Sequence, residues 1–525
     1  MIKRVIGLIF FTVLTLTSSA NTYYVSKNGN NNSTGSLLNP WLTIQKASNT
    51  MIAGDTVLIR KGLYKERVTV MNSGSKNGNI VFTNYPNEIV TIDGTGLTWW
   101  NWNGLLDITQ KEYISIIGIN VKNSSYGGIW IEDSKNINIE HCNTYNTVSC
   151  GIGLWGSDSI LVYKNEVELA CNDGDQECIS VANSSNSIIQ GNIIHDNGVG
   201  TNGGEGIDVK AGSFNIDVVG NEVYNINNRI GIYLDGWDSH TYNVKIYGNK
   251  VYHCSSTGIA VATEKGGLVE DVEIYNNVIY DNKWNGIEIG NWVEGNVPNT
   301  PIRHILIINN TIHHNGFFSG VDGGHGIKVK NIDAKNIALR NNIVSENNSG
   351  QIGIELTAVQ EVSIDHNLVF GQSDFLGSDA ITTDPLFSNT FAGNFYLQQN
   401  SPAIDNGSFV NAPNSDFNGT FRPTGAKVDI GAFEYDASLG FTYDINSQKR
   451  VRVFPNPFIN GVYIKLTNNL EVNLRLFNSN GKEVSVIQKS RGSLIELERG
   501  NLPSGIYFLR ITTTSLTEVR RLIIQ

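Results

Sequence analysis

The sequence predicts an all-β chain whose short strands wind into a stacked coil, and three observations carry that prediction. One four-residue phrase recurs: GIWI at Ile129, GIGL at Ile152, CISV at Ile179, GIDV at Ile207 and GIYL at Ile232. It continues with GIAV at Ile259, GIEI at Ile287, GIKV at Ile327 and GIEL at Ile354, at intervals of 23, 27, 28, 25, 27, 28, 40 and 27 residues. From Ile152 onward a second phrase follows each, centred on Asn165, Asn192, Asn221, Asn249, Asn277, Asn310, Asn342 and Asn367. Between them lie runs of four or five alternating residues parted by Gly or Asn, with no room for a helix. A coil that returns to the same place after each turn stacks its Ile and Val into continuous columns, which is a parallel β-helix. The recurrent Asn suits a turn that needs left-handed backbone, and stacked amides can bond from coil to coil.

The elements follow in chain order. Residues 1–20, MIKRVIGLIFFTVLTLTSSA, put two basic residues before an apolar run that ends in small residues. That pattern predicts a secretory signal peptide, and no later segment is long and apolar enough to span a membrane. Residues 21–372 are assigned to the β-helix, 373–437 to its closing segment, 438–449 to a polar linker and 450–525 to a second β domain. The opening, YYVSKNGNNNSTGSLLNPWLTIQKA into GDTVLIRKGLYKE, resembles that of secreted, right-handed, pectate-lyase-like helices. DPLF through VDIGAFEY (384–435) resembles the segment that closes such helices in bacterial surface proteins. VFPNPF (453–458), LRLFNSNGKEV, SGIYFLRI and RRLIIQ resemble the C-terminal sorting domain of the type IX secretion system. The resemblance implies a small β-sandwich, type IX machinery as partner, and delivery to the cell surface or medium.

A formal net charge of −11 argues against nucleic acid as a partner. Five cysteines (Cys142, Cys150, Cys171, Cys178, Cys254) leave at least one unpaired; one or two disulfides among the first four are open, and zinc spacing is absent. The chain is expected to be monomeric.

With the repeating Ile as register, residues one and three places later face outward, and aligned positions on neighbouring coils are ~4.8 Å apart. This places Glu177, Glu205 and Asp208 on adjacent coils, followed by Lys210, Tyr233, Asp235, Trp237, His240 and Glu264. Carboxylates stacked so closely repel unless a cation or a raised pKa relieves them, which points to a site. Two chemistries suit it. In β-elimination on a uronate polymer, Glu177, Glu205 and Asp208 offer oxygen ligands for Ca²⁺, and Lys210 is the candidate base. EGIDVK (205–210) resembles the β-helix lyases typified by chondroitinase B and alginate lyases, in which a metal-binding Glu precedes the base Lys by five places. That family's second Glu position is Gly203 here, and Asp235 stands where its Arg is expected, Arg229 being out of register. In glycoside hydrolysis, Asp208, Asp235 and Glu264 supply the acid and base, while Trp155, Trp237 and Trp292 stack on sugars.

Tyr233, His240 and Lys328 complete the candidate substrate contacts. Trp99, Trp100 and Trp102 are expected to pack the first coils, and His195, His253, His313 and His314 to be structural. A glycan-binding surface protein without catalysis is the third reading; the concentration of ionisable groups on a few coils favours an enzyme on an acidic polysaccharide.

Overall fold

The computed structural model describes residues 20–99, 102–173, 175–198, 203–316, 323–355, 361–436, 451–454, 461–478, 482–512 and 517–524. The signal-peptide segment up to residue 19, Trp100 and the 438–449 linker lie outside them. The chain divides into two units, Met1–Asp436 and Ala437–Gln525.

The first unit is a parallel β-helix of three sheets with 13, 12 and 11 strands. One coil shows the pattern: Ile207–Lys210 in the 11-stranded sheet, Phe214–Val219 in the 13-stranded sheet, Glu222–Tyr224 in the 12-stranded sheet, then Ile232–Asp235 back in the first. The register aligns Ile129, Ile152, Ile179, Ile207, Ile232, Ile259, Ile287 and Ile327 in one buried column. Its next member is Ile352, not Ile354, which pairs with Val329. The last repeat is therefore displaced by two residues from the sequence reading, because Gly350–Ile354 begins its strand earlier.

The Asn ladder forms, with a division of labour the sequence did not suggest. The amide Nδ2 and backbone N of Asn192 both donate to Oδ1 of Asn221, at 3.0 and 2.9 Å, and Asn192 Nδ2 also donates to the Val162 carbonyl. Equivalent bonds link Asn165 to Asn192, Asn221 to Asn249, and onward to Asn367. The left-handed residue is the one before each ladder Asn: Lys164, Gly191, Gly220, Gly248, Asn276, Asn309, Asn341 and His366. Where that residue is itself Asn, its amide binds the closing segment. Asn276 Nδ2 donates to Ser415 O, Asn309 Nδ2 to Asp429 O and Asn341 Nδ2 to Ser408 O. NN in place of GN thus marks the coils that the closing segment covers.

All five cysteines are buried free thiols, so none of the disulfides left open is formed. Cys142 instead fills the first rung of the ladder, its backbone N donating to Asn165 Oδ1. A short helix, Ile44–Thr50, buries Ile44, Ala47 and Ser48 at the N-terminal coils. Its first N–H groups are satisfied by Thr43 as N-cap and by the Glu66 carboxylate. The second unit is a five-stranded antiparallel sheet with its own core around Val462, Leu474, Leu509 and Leu522. Among the described residues no helix is long and apolar enough to cross a membrane.

Asn221 is 1% exposed and joins three coils through its amide. Asn221→Ala removes the acceptor of the Asn192 backbone N–H and of one Asn192 Nδ2 hydrogen, and the amide donor to the Ile189 carbonyl, and is expected to cost about 2–4 kcal/mol. Chemical denaturation of the parent and variant measures the difference.

Candidate active site

The outward face of the 11-stranded sheet carries the site. Ser180, Asp208, Tyr233 and Ala260 stand in one column, and Ala182 pairs with Lys210 in the next. Asp235 ends the strand of the following coil, paired with Ala262. Stacking therefore forces Glu177, Glu205, Asp208 and Asp235 together, although each belongs to a different loop or strand.

Lys210 joins the group. Its ammonium donates to Glu177 Oε1 at 2.5 Å and lies 3.5 Å from Asp208 Oδ2. Ser180 Oγ donates to the other Glu177 oxygen at 2.7 Å. Burial alone would lower the Lys210 pKa, but Glu177, Asp208 and Glu205 outweigh it and hold the ammonium above its ordinary value. Asp208 is pushed well above the carboxylate range, by burial first and by its acidic neighbours next, with Lys210 opposing. Its Oδ1 is buried and has no hydrogen-bond partner. Asp235 is pushed up to about 7 by burial, against the Trp237 N–H that donates to its Oδ1 at 2.6 Å.

Beside this network opens a cleft of about 360 Å³. Glu205 and Glu264 both line it, with Tyr233, Trp284 and Trp292 as apolar walls and Arg229 and Lys283 as cations. Burial and the charge of Glu177 push Glu205 up to about 7. Glu264 is fixed differently, because Tyr233 donates its hydroxyl to Glu264 Oε1 at 2.6 Å. Burial raises the Tyr233 pKa well above its ordinary value, so that donor keeps its proton. One cleft thus presents two carboxyl groups in contrasting environments.

Trp292 lies in the cleft, edge-on to Tyr233 at 5.8 Å. Trp155 stands two coils from Lys210 on the opposite side, outside the cleft. Trp237 has its ring face covered by Lys265, 4.1 Å from the centroid. His240 belongs to the 13-stranded sheet and pairs with Glu270 at 2.9 Å. Lys328 is four coils from Asp208, about 19 Å at ~4.8 Å per step, and pairs with Glu355. Those last two are not brought to the cluster. Arg229, out of register as backbone, nevertheless reaches Glu205 at 3.8 Å and donates to Gly203 O. Arg229, Ser256 and Trp284 each lie three places before a register Ile, as Ile232, Ile259 and Ile287 show. Outward positions counted one and three places after each Ile do not reach this column.

Oxygen donors suit Ca²⁺ chemically. Among the described residues, however, no three His, Cys, Asp or Glu side chains gather so as to hold a metal ion. Lys210 also stands between Glu177 and Asp208, where a cation would sit. The Glu177, Glu205 and Asp208 set does not fit Ca²⁺ in this arrangement.

Residues 23–173 match the family described as Pel9A-like, right handed beta helix region, and residues 452–525 match the secretion system C-terminal sorting domain. The first unit is accordingly a right-handed, pectate-lyase-like β-helix, and the second a secretion sorting domain. The uncharacterised protein YwoF of Bacillus subtilis is 36% identical over 108 residues, 20% of this chain and 23% of that one. Pectate lyase PEL9 of Emericella nidulans is 28% identical over 154 residues, 27% of this chain and 37% of that one. This chain therefore spans well under half the length of these curated relatives. Among solved structures, XylC in complex with xylose shares the fold at a TM-score of 0.51, with 12% identity over 78% of this chain and 98% of that one. Pectate lyase Pel9A gives 0.49 at 15% identity, over 80% and 97%.

Glu205 and Asp235 keep protons to about pH 7 when folded, whereas their unfolded values lie near 4. Between those values the folded state binds more protons than the unfolded chain, so their contribution to stability falls as pH rises and levels off above about 7. Glu205→Gln combined with Asp235→Asn is expected to lose less Tm between pH 5 and pH 7.5 than the parent, as read by calorimetry.

Proposed function

We propose that the chain is an exported enzyme that cleaves an acidic polysaccharide by acid–base catalysis, with Glu205 and Glu264 as the reacting carboxyl groups. Export follows the type IX route that the sorting domain serves. The observation that carries the reading is that both groups line one sugar-sized cleft walled by Tyr233, Trp284 and Trp292. Aromatic walls suit the apolar faces of sugar rings, and two carboxyl groups in contrasting environments suit an acid and a base working together. Glu205, protonated to about pH 7, gives its proton to the glycosidic oxygen as the bond breaks. Glu264, oriented by the Tyr233 hydroxyl, takes a proton from water or attacks the anomeric carbon itself. Asp208, Asp235, Glu177 and Lys210 form the charged floor behind the cleft; burial and the Glu177 charge keep Glu205 protonated, while Arg229 and Lys210 oppose them. Arg229 and Lys283 offer positive charge to a substrate carboxylate.

A second reading is β-elimination with Lys210 as base. It is favoured by the pectate lyase named among the relatives and by the family match of the first coils. It requires Lys210 to give up a proton that Glu177, Asp208 and Glu205 hold in place. The matched region also ends at residue 173, before Glu177 and the rest of the cluster.

One assay separates the two. The protein is incubated with alginate, polygalacturonate, ulvan and glycosaminoglycans, with Ca²⁺ and then with EDTA. New reducing ends without absorbance near 235 nm are expected, with Glu205→Gln and Glu264→Gln each lowering the rate at least 100-fold. A calcium-dependent rise at 235 nm that Lys210→Ala abolishes would replace this mechanism by elimination. Neither signal on any polymer would leave a glycan-binding protein.

A further inference from the structure

We infer that Trp102 and Trp155 form a sugar-binding platform on the N-terminal side of the charged floor, so that the substrate is a polymer lying along the helix axis and cut internally. The inference rests on the proposed polysaccharide-cleaving function and adds a binding site to it.

The platform is built from the sheet outward. Trp130 is 1% exposed and forms the lower layer, with its indole Nε1 donating to Glu132 Oε2 at 3.0 Å. Glycines make room beneath it: a Cβ on Gly127 would stand 2.8 Å from the Trp130 ring, and one on Gly104 would meet its Cβ and backbone. Trp155 stacks on Trp130 at 5.0 Å and 27°. Its indole in turn lies over Gly153, where a Cβ would approach Nε1 to 2.7 Å. Trp102 stands edge-on to both rings, at 6.3 and 6.2 Å, and is 57% exposed. Trp102 packs by its edge against Tyr126, Trp130 and Trp155 while much of it stays exposed, whereas Trp99 packs against the main core and Arg67. A packed aromatic base carrying a solvent-facing indole is costly in water and suited to the face of a sugar ring.

Continuity with the cleft identifies the occupant. Trp155 sits in the column that continues through Ala182 to Lys210, on the same sheet face as the cleft. The strand between presents only the small residues Ser180 and Ala182 on this face, and Glu177 of the same coil bonds to Ser180, so the charged floor begins one coil from Trp155. On the far side Trp292 mirrors the arrangement, its ring lying over Gly290 at 3.1–3.2 Å from a built Cβ. From the Trp155 coil to the Gly290 coil is five steps, about 24 Å at ~4.8 Å each. An aromatic floor on both sides of the carboxyl groups holds a chain that extends past them in both directions. A ligand ending at the cleft would leave Trp102 and Trp155 unused.

Native gel electrophoresis through alginate, polygalacturonate, ulvan or xylan tests this, with Glu205→Gln as background so that the polymer stays intact. The full chain is expected to be retarded by at least one polymer. Trp102→Ala should weaken that retardation at least fivefold and Trp102→Phe should restore most of it, with circular dichroism melts showing all three folded. In the cleaving enzyme, Trp102→Ala should raise KM for the polymer more than it lowers kcat, while early products remain long. Equal retardation of Trp102→Ala and its parent, no retardation by any polymer, or release of only the shortest products from the outset overturns the platform. Retardation that depends on Trp102 without any cleavage would instead overturn the catalytic reading and leave the platform standing.

Discussion

Everything in the first unit depends on the hydrogen bonds that run parallel to the helix axis and hold each coil in register over the last. They fix the spacing between equivalent side chains, so a residue on one coil has no choice about its neighbour on the next. Where the stacked residue is Asn, the constraint is favourable: each carboxamide donates and accepts, and the chain of bonds runs from Asn165 to Asn367. Tyr224, Tyr252 and Tyr280 use it through near-parallel rings about 5 Å apart. Where the stacked residues are carboxyl groups, the same spacing is unfavourable, and the charge must be relieved locally. At Glu177 it is relieved by Lys210, and at Glu205, Asp208 and Asp235 by raised pKa values. The scaffold creates the strain from which the candidate chemistry is made.

The scaffold was legible because a repeated geometry writes a repeated sequence. The Ile column and the ladder Asn could be read directly, and eight of the nine register positions were correct. The ninth failed because GIEL at Ile354 carries the phrase while its strand starts two residues earlier. The ladder was right in its bonds and wrong in its backbone. A single conserved-looking Asn seemed to need both the left-handed conformation and the stacked amide, whereas the fold divides these between adjacent residues. The doubled Asn at 276–277, 309–310 and 341–342 encoded the docking of the closing segment, a contact more than 60 residues away that periodicity cannot reveal.

The site was legible only in part, and for a related reason. Column positions are set by the backbone, so Asp208, Lys210, Tyr233 and Asp235 could be placed together from register alone. Arg229 and Trp284 lie on turns, where no pleat dictates direction, and they reach the cleft by side-chain length. The charge state was harder still. Lys210 reads in sequence as a lysine beside carboxylates, which suits a base near a cation equally well. Only the 2.5 Å contact with Glu177, and the absence of a metal-holding group among the described residues, show that Lys210 is itself the cation of this arrangement.

That distinction bears on how far likeness to other β-helices can reach. Coils that only need to stack are constrained by column chemistry shared with any helix of this build, and the family match covers such coils up to residue 173. Beyond it, Glu177 and the residues that follow answer to a second demand, the relief of mutually repelling carboxyl groups. Several solutions are open there: a metal ion, a lysine, or protons held at neutral pH. This chain combines the last two, with an ammonium held on Glu177 and protonated acids beside it. Two proteins can therefore agree closely in their early coils and differ in the reaction performed a few turns later. The pectate-lyase-like opening speaks for the scaffold, and the proposed chemistry rests on the carboxyl groups that the scaffold brings together.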